Sequence, residues 1–172
     1  MKNRKVALIG QNLLTDCNEP CRLICSNCKC LLRIIFFISF SSQECKAKVD
    51  IAVLLDGSGS IDFQSPGNFE KCKKFLKNLV SSFNVAKDGT HVGLVVFSSN
   101  ADIIFSFEKY LDANSMMAAI EKIQYPSQGT YTGKALDLVR TGLFEVSARQ
   151  GVRDILIVMT DGASRVRENT SI

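Results

Sequence analysis

A single histidine, His91, serves the whole 172-residue chain, and it stands at the start of an apolar strand pattern. No Ser-His-Asp set is built from one imidazole in that place. The phosphate-binding loops are missing as well. There is no G-x-x-x-x-G-K-[ST], and where Gly57-Ser58-Gly59 would need a third glycine the chain has Asp62. A phosphatase of the haloacid-dehalogenase type needs a second acid two residues after its strand-end aspartate, and that position is Ser58. The sequence therefore reads as non-enzymatic. Long apolar runs are absent too. Leu31–Phe40 is the longest, with ten residues and Arg33 inside it, about half of what a membrane-spanning helix needs. A basic surplus on the folded part is also lacking. Residues 1–48 hold 8 Lys/Arg against 3 Asp/Glu (+5), and the remaining 124 hold 13 against 14 (−1), so the nucleic-acid footprint of a basic face is missing. Internal repeats and low-complexity stretches are absent, and 46% hydrophobic with 22% charged residues is globular composition.

Cysteine is nearly absent from the body and concentrated before it. Cys17, Cys21, Cys25, Cys28, Cys30 and Cys45 precede the first regular pattern, and only Cys72 follows. Cys25-x-x-Cys28 with Cys30 has thiolates at zinc-knuckle spacing, but no second pair follows, so a non-functional leader or a fragment of a disulfide module is the plainer reading. Residues 1–44 are expected to be a leader with a signal peptide. Lys2, Arg4 and Lys5 are basic, 31–40 is the apolar h-region, and Ser39-Phe40-Ser41 offers small residues for cleavage. The alternative is an irregular extension, since about 30 residues make a long n-region and Arg33 interrupts the apolar run. Cys45 then lies just before the body, which suits a secreted disulfide. Asn169-Thr170-Ser171 is a formal glycosylation sequon.

From residue 45 a domain is expected. Val49–Leu55 is a short, branched apolar run ending at Asp56, the mark of a buried parallel strand. Ser65-Pro66-Gly67-Asn68 begins a helix whose apolar face is Phe69, Cys72, Leu76, Leu79, Val80 and Phe83, with Lys71, Lys73, Lys74 and Lys77 placed opposite. His91–Phe97 and Ala101–Phe107 are strands joined by the tight turn Ser98-Ser99-Asn100, so the second of them is an antiparallel edge. A helix follows over 112–123, capped by Asp112 or Asn114, then a loop over 125–131 and a helix over 132–146. Asp154–Thr160 is a last, fully apolar strand ending at Asp161. This alternation predicts an α/β fold: an open, mostly parallel, doubly wound sheet with one antiparallel edge strand and helices on both faces. The last strand is expected to stand as a bare apolar edge, with the domain (45–172) incomplete at its C-terminus.

Ligands of such sheets sit beyond the carboxyl ends of the strands. There the sequence offers oxygen. Asp56, Ser58 and Ser60 alternate with Gly57 and Gly59, which let the backbone curl so that the oxygens converge. Asp161 ends the last strand, and the loop Gly129-Thr130-Tyr131-Thr132-Gly133 adds hydroxyls. Hard oxygens without imidazole or thiolate favour Mg²⁺, Mn²⁺ or Ca²⁺ over zinc or copper.

These segments resemble the von Willebrand factor A domain. Ile51–Ile61 is similar to its opening strand and D-x-S-x-S motif, Gly129–Leu136 to its threonine loop, Ile155–Gly162 to its fourth-strand aspartate and His91–Ser98 to its second strand. The resemblance covers about Val49 to Ser164 and is nearest to the extracellular matrix branch, as in matrilins and the non-helical parts of type VI collagen. It implies a Rossmann-like fold with strand order third, second, first, fourth, whose later strands are missing here. It also implies a metal-ion-dependent adhesion site. Asp56 would reach Mg²⁺ or Mn²⁺ through water, Ser58 and Ser60 would bind it directly, Thr130 would join when ligand is bound, and Asp161 would stand behind them. Gln128 departs from the glycine that many members have there. The implied function is that of a secreted matrix module. It would bind an extracellular matrix or cell-surface protein, collagen-like or other, through an acidic side chain, with no nucleic acid and no membrane span. An intracellular scaffold in a multiprotein assembly is the alternative.

Overall fold

The computed structural model describes residues 5–9, 47–63 and 65–161. The expected h-region at 31–40, Cys45, the Cys25/Cys28/Cys30 group and the sequon at 169–171 lie outside the described residues. The elements run in the order β1 (Lys5–Ile9), β2 (Val49–Asp56), α1 (Ser60–Phe63), α2 (Asn68–Ser81), β3 (His91–Phe97), β4 (Ala101–Phe105) and α3 (Ala113–Glu121). Then come α4 (Thr132–Leu138), a π-helical segment (Val139–Phe144), α5 (Glu145–Ser147) and β5 (Arg153–Met159). Among the described residues, no helix is long and apolar enough to cross a membrane.

One sheet organises them, with strand order β1-β5-β2-β3-β4. β2 lies parallel between β3 and β5, and β4 returns antiparallel on β3. This is the doubly wound, mostly parallel sheet with an antiparallel edge that the sequence pattern predicts. The far side departs from expectation. β5 is not a bare edge, because Lys5–Ile9 pairs with it in parallel, from Lys5 opposite Ile155 to Ile9 opposite Met159. Five residues of the segment expected to be a leader thus form a strand of the sheet. A parallel neighbour satisfies backbone groups that an edge would leave to solvent.

β2 is buried along its whole length, and its alternating side chains feed two cores. Ile51, Val53 and Leu55 pack with Phe69, Leu76 and Leu79 of α2 and with Met116 and Ile120 of α3. Ala52 and Leu54 pack on the other face with Ala135, Val139, Leu143 and Phe144. Helices on both faces account for the unbroken apolar runs Ile51–Leu55 of β2 and Ile155–Met159 of β5.

Local rules set the helix starts. Asp112 is the cap of α3 and accepts from Ser115 N at 2.8 Å. α2 is entered through Gly67 at φ 84°, a left-handed conformation that glycine adopts at little cost. Its first amides are held from a distance by Asp62, which accepts from Phe69 N at 2.8 Å and Gly67 N at 3.2 Å. The helix predicted over 132–146 contains the π-helical segment. Gly142 lies in that segment, and a Cβ there would meet Ile103 Cδ1 at 2.7 Å. Lys73 is a correction. It was expected on the solvent side of α2 but is buried, its Nζ donating to Glu70 at 3.0 Å and to the Ile123 carbonyl at 3.3 Å. Its position beside Cys72 lets the aliphatic stem lie along the core while the amine finds oxygens.

Candidate metal centre

The register of the parallel strands brings the site together. β2 and β5 pair through Leu55 and Met159, so their next residues, Asp56 and Thr160, meet. The Thr160 hydroxyl donates to Asp56 Oδ2 at 2.7 Å, and Ser58 N donates to Asp56 Oδ1 at 2.8 Å. Asp56 is fully buried. Burial pushes its carboxyl above the ordinary range, against the pull of the Thr160 and Ser58 donors, and the negative charge of Asp161 adds to the rise. A buried carboxylate under that strain is a natural place for a cation.

The loop after β2 is fixed at every turn. Gly57 N donates to the Phe97 carbonyl at 2.7 Å, Ser127 N donates to the Gly57 carbonyl at 2.9 Å, and Gly59 N donates to the Gln128 carbonyl at 2.8 Å. Neither Gly57 nor Gly59 is among the glycines at positive φ. Gly57 is needed for close approach instead, since a Cβ would meet Pro126 Cδ at 2.7 Å. In this loop Ser58 Oγ and Ser60 Oγ lie 3.0 Å apart. Two adjacent oxygens on an octahedral Mg²⁺, each at about 2.1 Å, are about 3 Å apart, so the pair fits one small hard cation.

The threonine loop packs against this one. Thr130 is buried. It lies between Gly129, whose N donates to Ser99 Oγ at 2.9 Å, and Tyr131, whose N donates to the Ser98 carbonyl at 3.0 Å. Asp161, half-buried, follows β5 next to Thr160. Asp56, Ser58 and Ser60 are thus joined by direct hydrogen bonds or a shared loop, Asp161 by the end of β5 and its charge, and Thr130 by the pairing of its loop with residues 57–59. No group of three or more His, Cys, Asp or Glu side chains among the described residues could hold a metal. A cation here would depend on hydroxyls, and the hard donor set fits Mg²⁺ or Mn²⁺.

Two residues of the site escape sequence reasoning. Thr160 precedes Asp161 and would have been found by aligning the ends of β2 and β5. Tyr125 has no such signal. Its hydroxyl donates to the Ser58 carbonyl at 2.6 Å and accepts from Asp62 N at 3.3 Å.

Comparison with known proteins agrees with this architecture. The family model of the von Willebrand factor type A domain matches residues 50–171. The mouse (Mus musculus) collagen alpha-4(VI) chain is 43% identical over 129 residues, covering 73% of this chain and 5% of that protein. Matrilin-1 of Gallus gallus is 33% identical over 159 residues, covering 87% of this chain and 32% of its own length. The chain therefore spans a small part of these relatives. Proximal thread matrix protein 1 from the mussel byssus, solved with a zinc-occupied MIDAS motif, superposes with a TM-score of 0.66 at 29% identity, over 74% of this chain and 34% of that one. Manganese-loaded Plasmodium vivax TRAP protein gives a TM-score of 0.62 at 25% identity, over 71% and 49%. The match over residues 50–171 and the shared fold place this chain in the von Willebrand factor type A domain family.

Proposed function

We propose that this chain is an extracellular protein-binding module which holds one Mg²⁺ or Mn²⁺ at Asp56, Ser58, Ser60, Thr130 and Asp161 and recognises an acidic side chain of a matrix or cell-surface partner. The observation that carries the reading is the Ser58–Ser60 hydroxyl pair at 3.0 Å beside the fully buried, doubly hydrogen-bonded Asp56. A divalent ion held mainly by neutral hydroxyls keeps much of its positive charge and accepts a partner's carboxylate oxygen in place of a water. The residues here supply position and no turnover: Ser58 and Ser60 face one point, and Asp56 balances charge from behind them. Relatives named collagen, matrilin and thread matrix protein support a secreted, matrix setting. Solved relatives with zinc or manganese support a divalent ion, and the hard donors here favour Mg²⁺ or Mn²⁺.

Isothermal titration with Mn²⁺ tests the ion, and capture of matrix proteins with and without EDTA tests its use. Binding by the parent, its loss in Asp56→Ala and loss of capture in EDTA are the expected results. Equal Mn²⁺ affinity in Asp56→Ala, or capture untouched by EDTA, overturns the reading.

A further inference from the structure

The Tyr125 hydroxyl stands at the junction between the serine loop and the helix that follows it. It donates to the Ser58 carbonyl at 2.6 Å and accepts from Asp62 N at 3.3 Å. Ile61 N also donates to that carbonyl, at 3.2 Å. Ser58 is thereby tied at each of its polar groups: its N–H to Asp56, its carbonyl to Ile61 and Tyr125, and its Oγ to Ser60. Asp62 in turn anchors the start of α2 through Gly67 N and Phe69 N. The Tyr125 ring stacks on Phe69, with centroids 4.7 Å apart and planes at 29°. The hydroxyl is therefore delivered by a side chain that is itself held by α2.

We infer that Tyr125 is a positioning residue for the cation site: it sets the Ser58 peptide, and through it the direction of the Ser58 hydroxyl, while locking α1 to the loop. The inference rests on the cation reading of the site. A ligand whose backbone can rock presents its oxygen over a range of positions, and the cation must then order it on binding. Groups that orient metal ligands in this way typically contribute 10–100-fold to affinity. Tyr125 lies 67 positions from Ser58, so it couples the loop that opens the site to the one before the threonine loop. Removing the hydroxyl alone keeps the ring and its stack on Phe69, and leaves the Asp62 N–H and the Ser58 carbonyl each short of one partner.

The test compares the full chain with Tyr125→Phe and Leu79→Ala, well below the melting transition. Leu79 lies in the same core, toward the C-terminal end of α2, and serves as a structural control. Mn²⁺ affinity is read by titration, and amide exchange is followed in residues 57–62 and 76–81. Tyr125→Phe is expected to bind Mn²⁺ roughly 10-fold more weakly, with faster exchange confined to 57–62. Leu79→Ala is expected to lose stability with unchanged affinity. Equal affinity of parent and Tyr125→Phe overturns the role of Tyr125 and leaves the cation reading standing. So does a loss of affinity in both variants that follows their loss of stability. A parent chain that binds no Mn²⁺ overturns the cation reading, and this inference with it.

Discussion

The Thr160 hydroxyl donates to Asp56 Oδ2 at 2.7 Å, across 104 positions of sequence. The bond closes the carboxyl ends of β5 and β2 over one carboxylate. It leaves that carboxylate oriented before any cation arrives. Thr160→Val removes the donor and keeps the branched shape. An oxygen that loses its partner in a buried setting costs about 1–3 kcal/mol, and a metal group that loses its orienting bond typically weakens binding roughly 10-fold. We expect Thr160→Val to fold, with a lower melting temperature and weaker Mn²⁺ binding by titration. An unchanged dissociation constant would remove Thr160 from the site.

The body of the fold was legible because its signals are periodic. Ile51–Leu55 and Ile155–Met159 are apolar at every position, as strands covered on both faces must be, and an aspartate follows each, Asp56 directly and Asp161 after Thr160. Asp56, Ser58 and Ser60 are legible as a group because they are neighbours along the chain. What escapes is contact between residues far apart in sequence. Tyr125 reads as a loop aromatic until its hydroxyl is seen on Ser58. Lys73 reads as solvent-facing because charge usually is, yet two oxygens from α2 and the end of α3 make its burial tolerable. Val6–Ile9 is too short an apolar stretch to stand out beside the basic Lys2, Arg4 and Lys5, and its partner, β5, lies about 150 positions away in sequence.

At the opposite end of the sheet from the candidate metal centre, Arg149 clamps Asp50. Its guanidinium lies 2.7 Å from Asp50 Oδ1, its backbone N donates to Asp50 Oδ2 at 2.7 Å, and its NH2 group also donates to the carbonyls of Gly89 and Val49. Asp50 is fully buried. Breaking such a pair from one side leaves a buried charge unmatched, at a cost of about 3–5 kcal/mol. Arg149→Ala should therefore be strongly destabilised in urea or thermal unfolding. Mn²⁺ affinity below the melting transition should not change, because the clamp lies at the other ends of β2 and β5. A loss under about 1 kcal/mol would mean that the pair behaves as an ordinary exposed ion pair.

Pairing of β1 with β5 makes a separate forecast. Deleting residues 1–10 takes away the parallel neighbour of Ile155–Met159. Unpaired apolar strands recruit other chains. Amides of residues 153–159 should then exchange faster than in the full chain, and size-exclusion chromatography should show larger species. Identical exchange in both forms would show that β5 gains nothing from β1.

Cys72 supplies a pH dependence whose sign follows from burial. The side chain lies in α2 within the apolar core. Burial pushes its thiol from 9.0 up to about 11, and the negative charges of Asp56 and Asp62 add to the effect. The fold therefore favours the neutral thiol. An unfolded thiol ionises near 9.0, so this contribution to stability is fully present below that pH and is lost as pH rises from 9.0 through about 11. The gap corresponds to roughly 3 kcal/mol. Urea unfolding of the parent should lose stability over that window by more than Cys72→Ala does, and the difference between the two isolates the thiol. Because thiolate is the reactive form, iodoacetamide should label the Cys72 peptide far more slowly in the native chain than in urea. Peptide mapping separates it from the other six cysteines. Native labelling as fast as in urea would show that Cys72 is open to solvent and that burial does not hold its thiol neutral.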